Sequence, residues 1–169
     1  GLCYEKCPKK AIEMTKDEYG FIYPAIDRSK CIECGICKKV CAFKDEALNT
    51  VKTCYAAVNC NKQRLQKSAS GGMFSAIAES FLKNGGIVCG AQMTFSKGKA
   101  YVEHVTIDSI RDLEKLQGSK YVQSDIKDVF GKILDQLKQG KRVLFSGTPC
   151  QVTALKACVG KKYAENLYT

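Results

Sequence analysis

The stretch Cys31-Ile-Glu-Cys34-Gly35-Ile-Cys37-Lys-Lys-Val-Cys41 places four thiols in a C-x2-C-x2-C-x3-C run. The first residues of the chain repeat its second half. Gly1-Leu2-Cys3-Tyr4-Glu5-Lys6-Cys7 aligns with Gly35 through Cys41 in cysteine position and spacing, and Pro8 follows at once. The register predicts that equivalents of Cys31 and Cys34 stand before Gly1, so the sequence reads as a piece of a longer protein that lacks two members of its first run.

Three thiolates this close wrap one corner of an iron–sulfide cube. In two-cluster bacterial ferredoxins the fourth cysteine of each run ligates the cluster of the other run. The spacing therefore assigns Cys31, Cys34, Cys37 and Cys7 to one complete [4Fe-4S] cluster. Cys41 and Cys3 belong to a second cluster, whose remaining ligands lie upstream. The competing reading is structural zinc, which usually takes pairs of ligands across a longer spacer.

The totals agree. The chain has 169 residues, 45% of them hydrophobic, enough for a real core. Six of its eleven cysteines fall in the first 41 residues. Secreted disulfide scaffolds spread their cysteines along the chain, so this clustering favours a reducing, cytoplasmic compartment. No apolar run approaches the roughly 20 residues needed to span a bilayer. The formal net charge of +10 raises a nucleic-acid reading. Dispersed lysines, the lack of an aromatic–basic platform and the negative charge of thiolate-bound clusters argue against it.

Two modules are expected, one over residues 1–50 and one over 51–169. The first is short and cysteine-dense, with a hairpin or loop at Phe21-Ile22-Tyr23-Pro24, and metal binding must supply much of its stability. The second alternates strands and helices, the mark of an α/β domain. Strands are expected at Cys54–Val58, Ile87–Met93, Ala100–Ile107 and Arg142–Phe145. Helical spacing marks Met73 to Leu82, capped by Ser70, and Asp125 to Lys138, capped by Ser124. A further helix begins near Gln151, and Glu165 to Thr169 reads as the start of an element with no partner.

Three loops of the second module carry chemistry. Ser68-Ala69-Ser70-Gly71-Gly72 sits at a helix N-terminus, where free N–H groups favour an anion; an ordinary cap and turn is the alternative. Gly118-Ser119-Lys120-Tyr121-Val122-Gln123-Ser124 combines small, cationic and aromatic residues, or is simply a polar connection. In "FSGTPCQVTALK", Thr148 fits the N-cap, Pro149 the first helical position and Gln151 a capping-box variant. Cys150 then lies in the first turn, where it is a reactive thiol, a ligand or packing. His104, the only histidine, reads as structural or as a proton shuttle. Cys150 and His104 are the candidate catalytic groups.

Behind the cysteine runs, "SASGGMFSAIAESFLKNGGIVCGA", "LQGSKYVQS" and "FSGTPCQVTALK" occur in that order. Together they resemble the coenzyme F420 hydrogenase/dehydrogenase beta-subunit family over nearly the whole chain to Lys156. The resemblance implies a ferredoxin-like cluster module followed by an α/β flavin-binding domain that continues past Thr169. It implies an iron–sulfur flavoprotein oxidoreductase. An FAD would exchange hydride with a deazaflavin or another small molecule and pass electrons singly through [4Fe-4S] clusters to a redox partner protein or ferredoxin. By the same resemblance Ser70, Gly71, Gly72, Gly118, Ser119, Lys120, Tyr121, Ser146, Gly147, Thr148, Pro149, Cys150 and Gln151 line the flavin and substrate pocket. The alternative is a non-enzymatic electron-transfer subunit that docks on a partner enzyme.

Overall fold

The computed structural model describes residues 1–41, 51–126 and 128–169. The expected boundary near residue 50, and Lys127 within the expected second helix, lie outside them. In the cysteine-rich segment each run folds as a single helical turn, α1 (Leu2–Glu5) and α2 (Ile36–Lys39). Between them β1 (Ile12–Lys16) and β2 (Ile22–Ile26) form an antiparallel hairpin, with Ile12 opposite Ile26 and Met14 opposite Pro24. Asp17 Oδ1 closes its turn by accepting the N–H groups of Tyr19 and Phe21. Leu2, Ala11 and Ile12 are the only buried apolar residues described in this segment. So little buried surface fits a segment stabilised by its metal ligands.

The expected strand at Cys54–Val58 does not form: residues 51–58 are exposed and lie outside every strand. A strand needs a neighbour to complete its ladder, and this segment packs instead against the Gly71 loop, where Asn59 donates its N–H to the Gly71 carbonyl at 2.8 Å. A short α3 (Lys62–Gln66) follows, capped by Asn61. Next comes α4 (Met73–Lys83), whose N-cap is Gly72, at φ 69°, rather than Ser70. Ser70, at φ 53°, stands two residues before that position.

Strands β3 (Ile87–Ser96) and β4 (Lys99–Ile107) pair through a two-residue turn. A 3-10 helix over Ile110–Leu116 was not evident from periodicity. The next helix, α5 (Val129–Lys138), starts later than expected, with Asp128 rather than Ser124 at its N-cap position. The reason is that Asp125 continues the sheet edge in a parallel bridge with Glu103. Then follow β5 (Val143–Phe145), α6 (Pro149–Val159), a second 3-10 helix (Lys161–Asn166) and β6 (Leu167–Tyr168). The last segment does have a partner, because β6 pairs in parallel with β5.

The four strands form one mixed sheet in the order β4-β3-β5-β6. Successive side chains face opposite ways along a strand, so the two faces build separate cores. Ile87, Cys89, Val143 and Phe145 pack with α5 and α6, whereas Val88 and Leu144 pack with α4 and the first 3-10 helix. The cysteine-rich segment docks on the first of these. Leu2 is buried in that core, Val40 packs against it, and Glu5 accepts the Gly131 N–H at 3.4 Å. The fold is therefore a mixed helix-and-sheet structure with the cysteine-rich module seated on one layer.

Candidate cluster and ligand sites

Four of the six run cysteines line one cavity. Cys7, Cys31, Cys34 and Cys37 surround a volume of about 350 Å³ together with Ile12 and Ile26 of the hairpin. Glu33 (φ 53°) and Gly35 (φ 71°) turn the backbone in the left-handed region between these thiols, a conformation open to glycine at little steric cost. Cys7 Sγ already accepts the Ala11 N–H at 3.2 Å, the kind of contact that stabilises a metal-bound thiolate. Among the described residues no three His, Cys, Asp or Glu side chains converge on a single ion. The four-thiolate donor set fits a [4Fe-4S] cube, and the C-x2-C-x2-C spacing of Cys31, Cys34 and Cys37 is what favours it over zinc.

Cys3 and Cys41 face elsewhere. They line a second cavity of about 1000 Å³, between the cysteine-rich module and the sheet, at the upper end of the roughly 300–1,000 Å³ of typical ligand sites. The three sequence loops meet in this cavity. Ser68, Ala69 and Gly72 border it, as do the loop from Gly118 to Ser124 and Ser146, Gly147, Thr148, Cys150 and Gln151. Ser70, Gly71 and Pro149 are not on its wall. Gly71 instead presses on the preceding segment: a Cβ there would lie 2.2 Å from the Ala57 carbonyl oxygen.

Hydrogen bonds tie the loops into one frame. Ser68 Oγ accepts from Gln117 Nε2 at 2.9 Å and lies 3.0 Å from Ser75 Oγ, while Lys120 Nζ donates to the Gln117 carbonyl at 2.7 Å. The third loop is joined to the second by Gln151, which donates to Ser124 Oγ at 3.0 Å. Its Oε1 accepts the Thr148 N–H as part of the expected capping box. Gly147 must be glycine here, because a Cβ would lie 2.6 Å from the Phe145 ring and 2.8 Å from Gln151 Oε1.

His104 lies below this loop. It is 5% exposed, stacks on Phe145 at a centroid distance of 5.2 Å, and its Nε2 is 3.0 Å from the Ser146 carbonyl. A carbonyl accepts only, so Nε2 carries the proton and Nδ1 is left as a buried acceptor without a partner. Burial pushes the imidazole pKa down, with the Ser146 carbonyl acting in the opposite sense. Burial also lowers the pKa of Lys120. Cys150 is exposed, with Sγ 3.2 Å from Thr148 Oγ1. Cys89, by contrast, is buried and its thiol is pushed up to about 12, which makes it packing.

Sequence reasoning missed the floor and roof of this cavity. Phe74, Leu116 and Phe130 form apolar wall, and Met14, Ile22 and Pro24 reach it from the hairpin. Helical periodicity signals that Phe74 and Phe130 are inward-facing, but not that they border a cavity.

These features define a four-thiol cavity beside a ligand-sized cavity that Cys3 and Cys41 border. Residues 1–44 match the 4Fe-4S dicluster domain family, and residues 54–130 match the family described as coenzyme F420 hydrogenase/dehydrogenase, beta subunit N-term. The chain is thus similar over its first 44 residues to [4Fe-4S] dicluster domains, and over residues 54–130 to the N-terminal part of an oxidoreductase family's beta subunit. No curated protein matches the chain. No helix among the described residues is long and apolar enough to cross a membrane.

Proposed function

We propose that the protein is an iron–sulfur flavoprotein oxidoreductase that moves electrons between a hydride donor or acceptor and a redox partner protein, in a reducing, cytoplasmic setting. One observation carries this reading: Cys3 and Cys41 border the same cavity as the three loops. A ligand held by the loops is therefore adjacent to the half-site expected to hold the second cluster. Bound there, an FAD would supply the exchange between two-electron hydride chemistry and one-electron transfer, and the clusters the one-electron conduit.

The remaining roles belong to the protein's own side chains. Cys7, Cys31, Cys34 and Cys37 would hold one [4Fe-4S] cluster, and Cys3 and Cys41 would give two ligands to the other. Gly72 and Gly147 border the cavity, and the space beside each is taken by the protein's own side chains, which fixes the course of both loops. Lys120, steered by the Gln117 carbonyl, offers a cation at the wall. His104 fixes the Ser146 carbonyl and with it the entry to α6. Apolar side chains such as Phe74 and Phe130 exclude water from the inner end. The deazaflavin implied by the family is the first substrate to test.

The test is anaerobic titration of the reconstituted protein with FAD, followed by addition of reduced deazaflavin. Stoichiometric FAD binding and bleaching of the flavin and cluster absorption are expected. Full iron and sulfide with no FAD binding would overturn the flavin reading and leave an electron-transfer subunit.

A further inference from the structure

The hairpin of the dicluster domain and the second loop of the F420-type domain are clasped by one side chain. Gln123 Oε1 accepts the Ile22 N–H at 2.6 Å, and Gln123 Nε2 donates to the Ile22 carbonyl at 3.4 Å. The carboxamide thus imitates a neighbouring strand at the edge of β2, across 101 residues of sequence. The consequence follows from strand alternation. Ile12, Met14, Ile22, Pro24 and Ile26 share one face of the hairpin. On that face Ile12 and Ile26 border the four-cysteine cavity, while Met14, Ile22 and Pro24 border the large cavity. One hairpin face therefore serves both sites, and Gln123 grips it at the ligand end.

We infer that the ligand site is composite: the dicluster hairpin is one of its walls, and Gln123 is the positioning residue that holds that wall over the three loops. This rests on the proposed ligand-binding role of the large cavity. Gln123 ties this part of the hairpin to the 118–124 loop through both groups of its carboxamide. Phe21 and Tyr23 also border the large cavity but remain about half exposed, and the module is further docked through Leu2 and Glu5. Without the carboxamide the tip swings free, and the apolar wall of Met14 and Pro24 no longer faces a bound ring. The clasp also makes substrate selection depend on the sequence of the electron-transfer module, because the residue at position 14 projects into the space a ligand would use.

Two readouts test this on the cluster-loaded chain. Amide hydrogen exchange at Ile22 should quicken about tenfold or more in Gln123→Ala, as expected when a local tertiary tie is removed. Gln123→Glu, which can still accept from Ile22 N–H but cannot donate to its carbonyl, should fall between. FAD is the binding probe. Its dissociation constant should rise about tenfold in Gln123→Ala, the order expected for two lost hydrogen bonds, and at least as much in Met14→Trp, with iron and sulfide per chain unchanged. Ile22 exchange equal in wild type and Gln123→Ala overturns the clasp, whether or not FAD binds. Faster exchange with unaltered FAD affinity in both variants overturns the wall. Failure of the wild type to bind FAD overturns the flavin reading instead and leaves the clasp to be decided by exchange.

Discussion

His104 Nε2 donates to the Ser146 carbonyl at 3.0 Å, while its ring stacks on Phe145 one residue earlier in the chain. A single side chain from β4 thereby fixes both the last residue of β5 and the first residue of the cavity loop that follows. The imidazole is buried and its pKa is pushed down, so the neutral form is the one the fold requires.

A pH dependence follows from that sign. In the unfolded chain a histidine titrates near 6.5. As pH falls below that value the unfolded state takes up a proton and the folded state does not, so stability declines until the lower folded pKa is passed. Denaturant unfolding from pH 8 to pH 5 should show this loss in the wild type. His104→Gln should flatten the slope, with a loss of about 1–3 kcal/mol at pH 8 from the disrupted hydrogen bond. An identical pH profile in both proteins would remove the titration from the account.

Gly147→Ala should destabilise the protein by about 1–3 kcal/mol, because the added methyl overpacks a filled site between the Phe145 ring and Gln151 Oε1. Thermal unfolding measures this. The same variant should weaken FAD binding, since the loop must move away from Phe145 to accept it.

Thr148 and Gln151 form the capping box of α6. Thr148→Ala should cost about 0.5–2 kcal/mol, the usual loss for an N-cap. Gln151→Ala removes the capping contact and the bond to Ser124 together. It should therefore cost at least as much and also loosen the 118–124 loop, read as faster amide exchange there.

The two sets of cysteines should behave differently. Cys34→Ala deletes one wall of the four-thiol cavity and should abolish the cluster there. Cys3→Ala lies on the other cavity and should leave that cluster in place. Iron and acid-labile sulfide counts, with the electron paramagnetic resonance signal of the reduced sample, distinguish the two. Equal losses from both substitutions would contradict the division.

What was legible in the sequence divides along physical lines. Ligand spacing is dictated by cluster chemistry, so Cys7 and Cys31 to Cys37 could be grouped before any fold was known, and the structure brings them round one cavity. The capping box at Thr148 was equally local and is present. Convergence of the three loops came only through family resemblance, because loop motifs do not encode their distance from one another. Cys54–Val58 has strand composition but meets no strand edge, so tertiary context overrode its propensity. The Gln123–Ile22 clasp spans 101 residues, and nothing local to either residue announces it.

The most direct measurement is the metal, sulfide and flavin content of the protein purified and reconstituted without oxygen. The account predicts iron and acid-labile sulfide in equal amounts, about four of each for the four-thiol site by the formula of the cluster, with one FAD bound per chain. Zinc at about one per chain without sulfide would contradict it at its root.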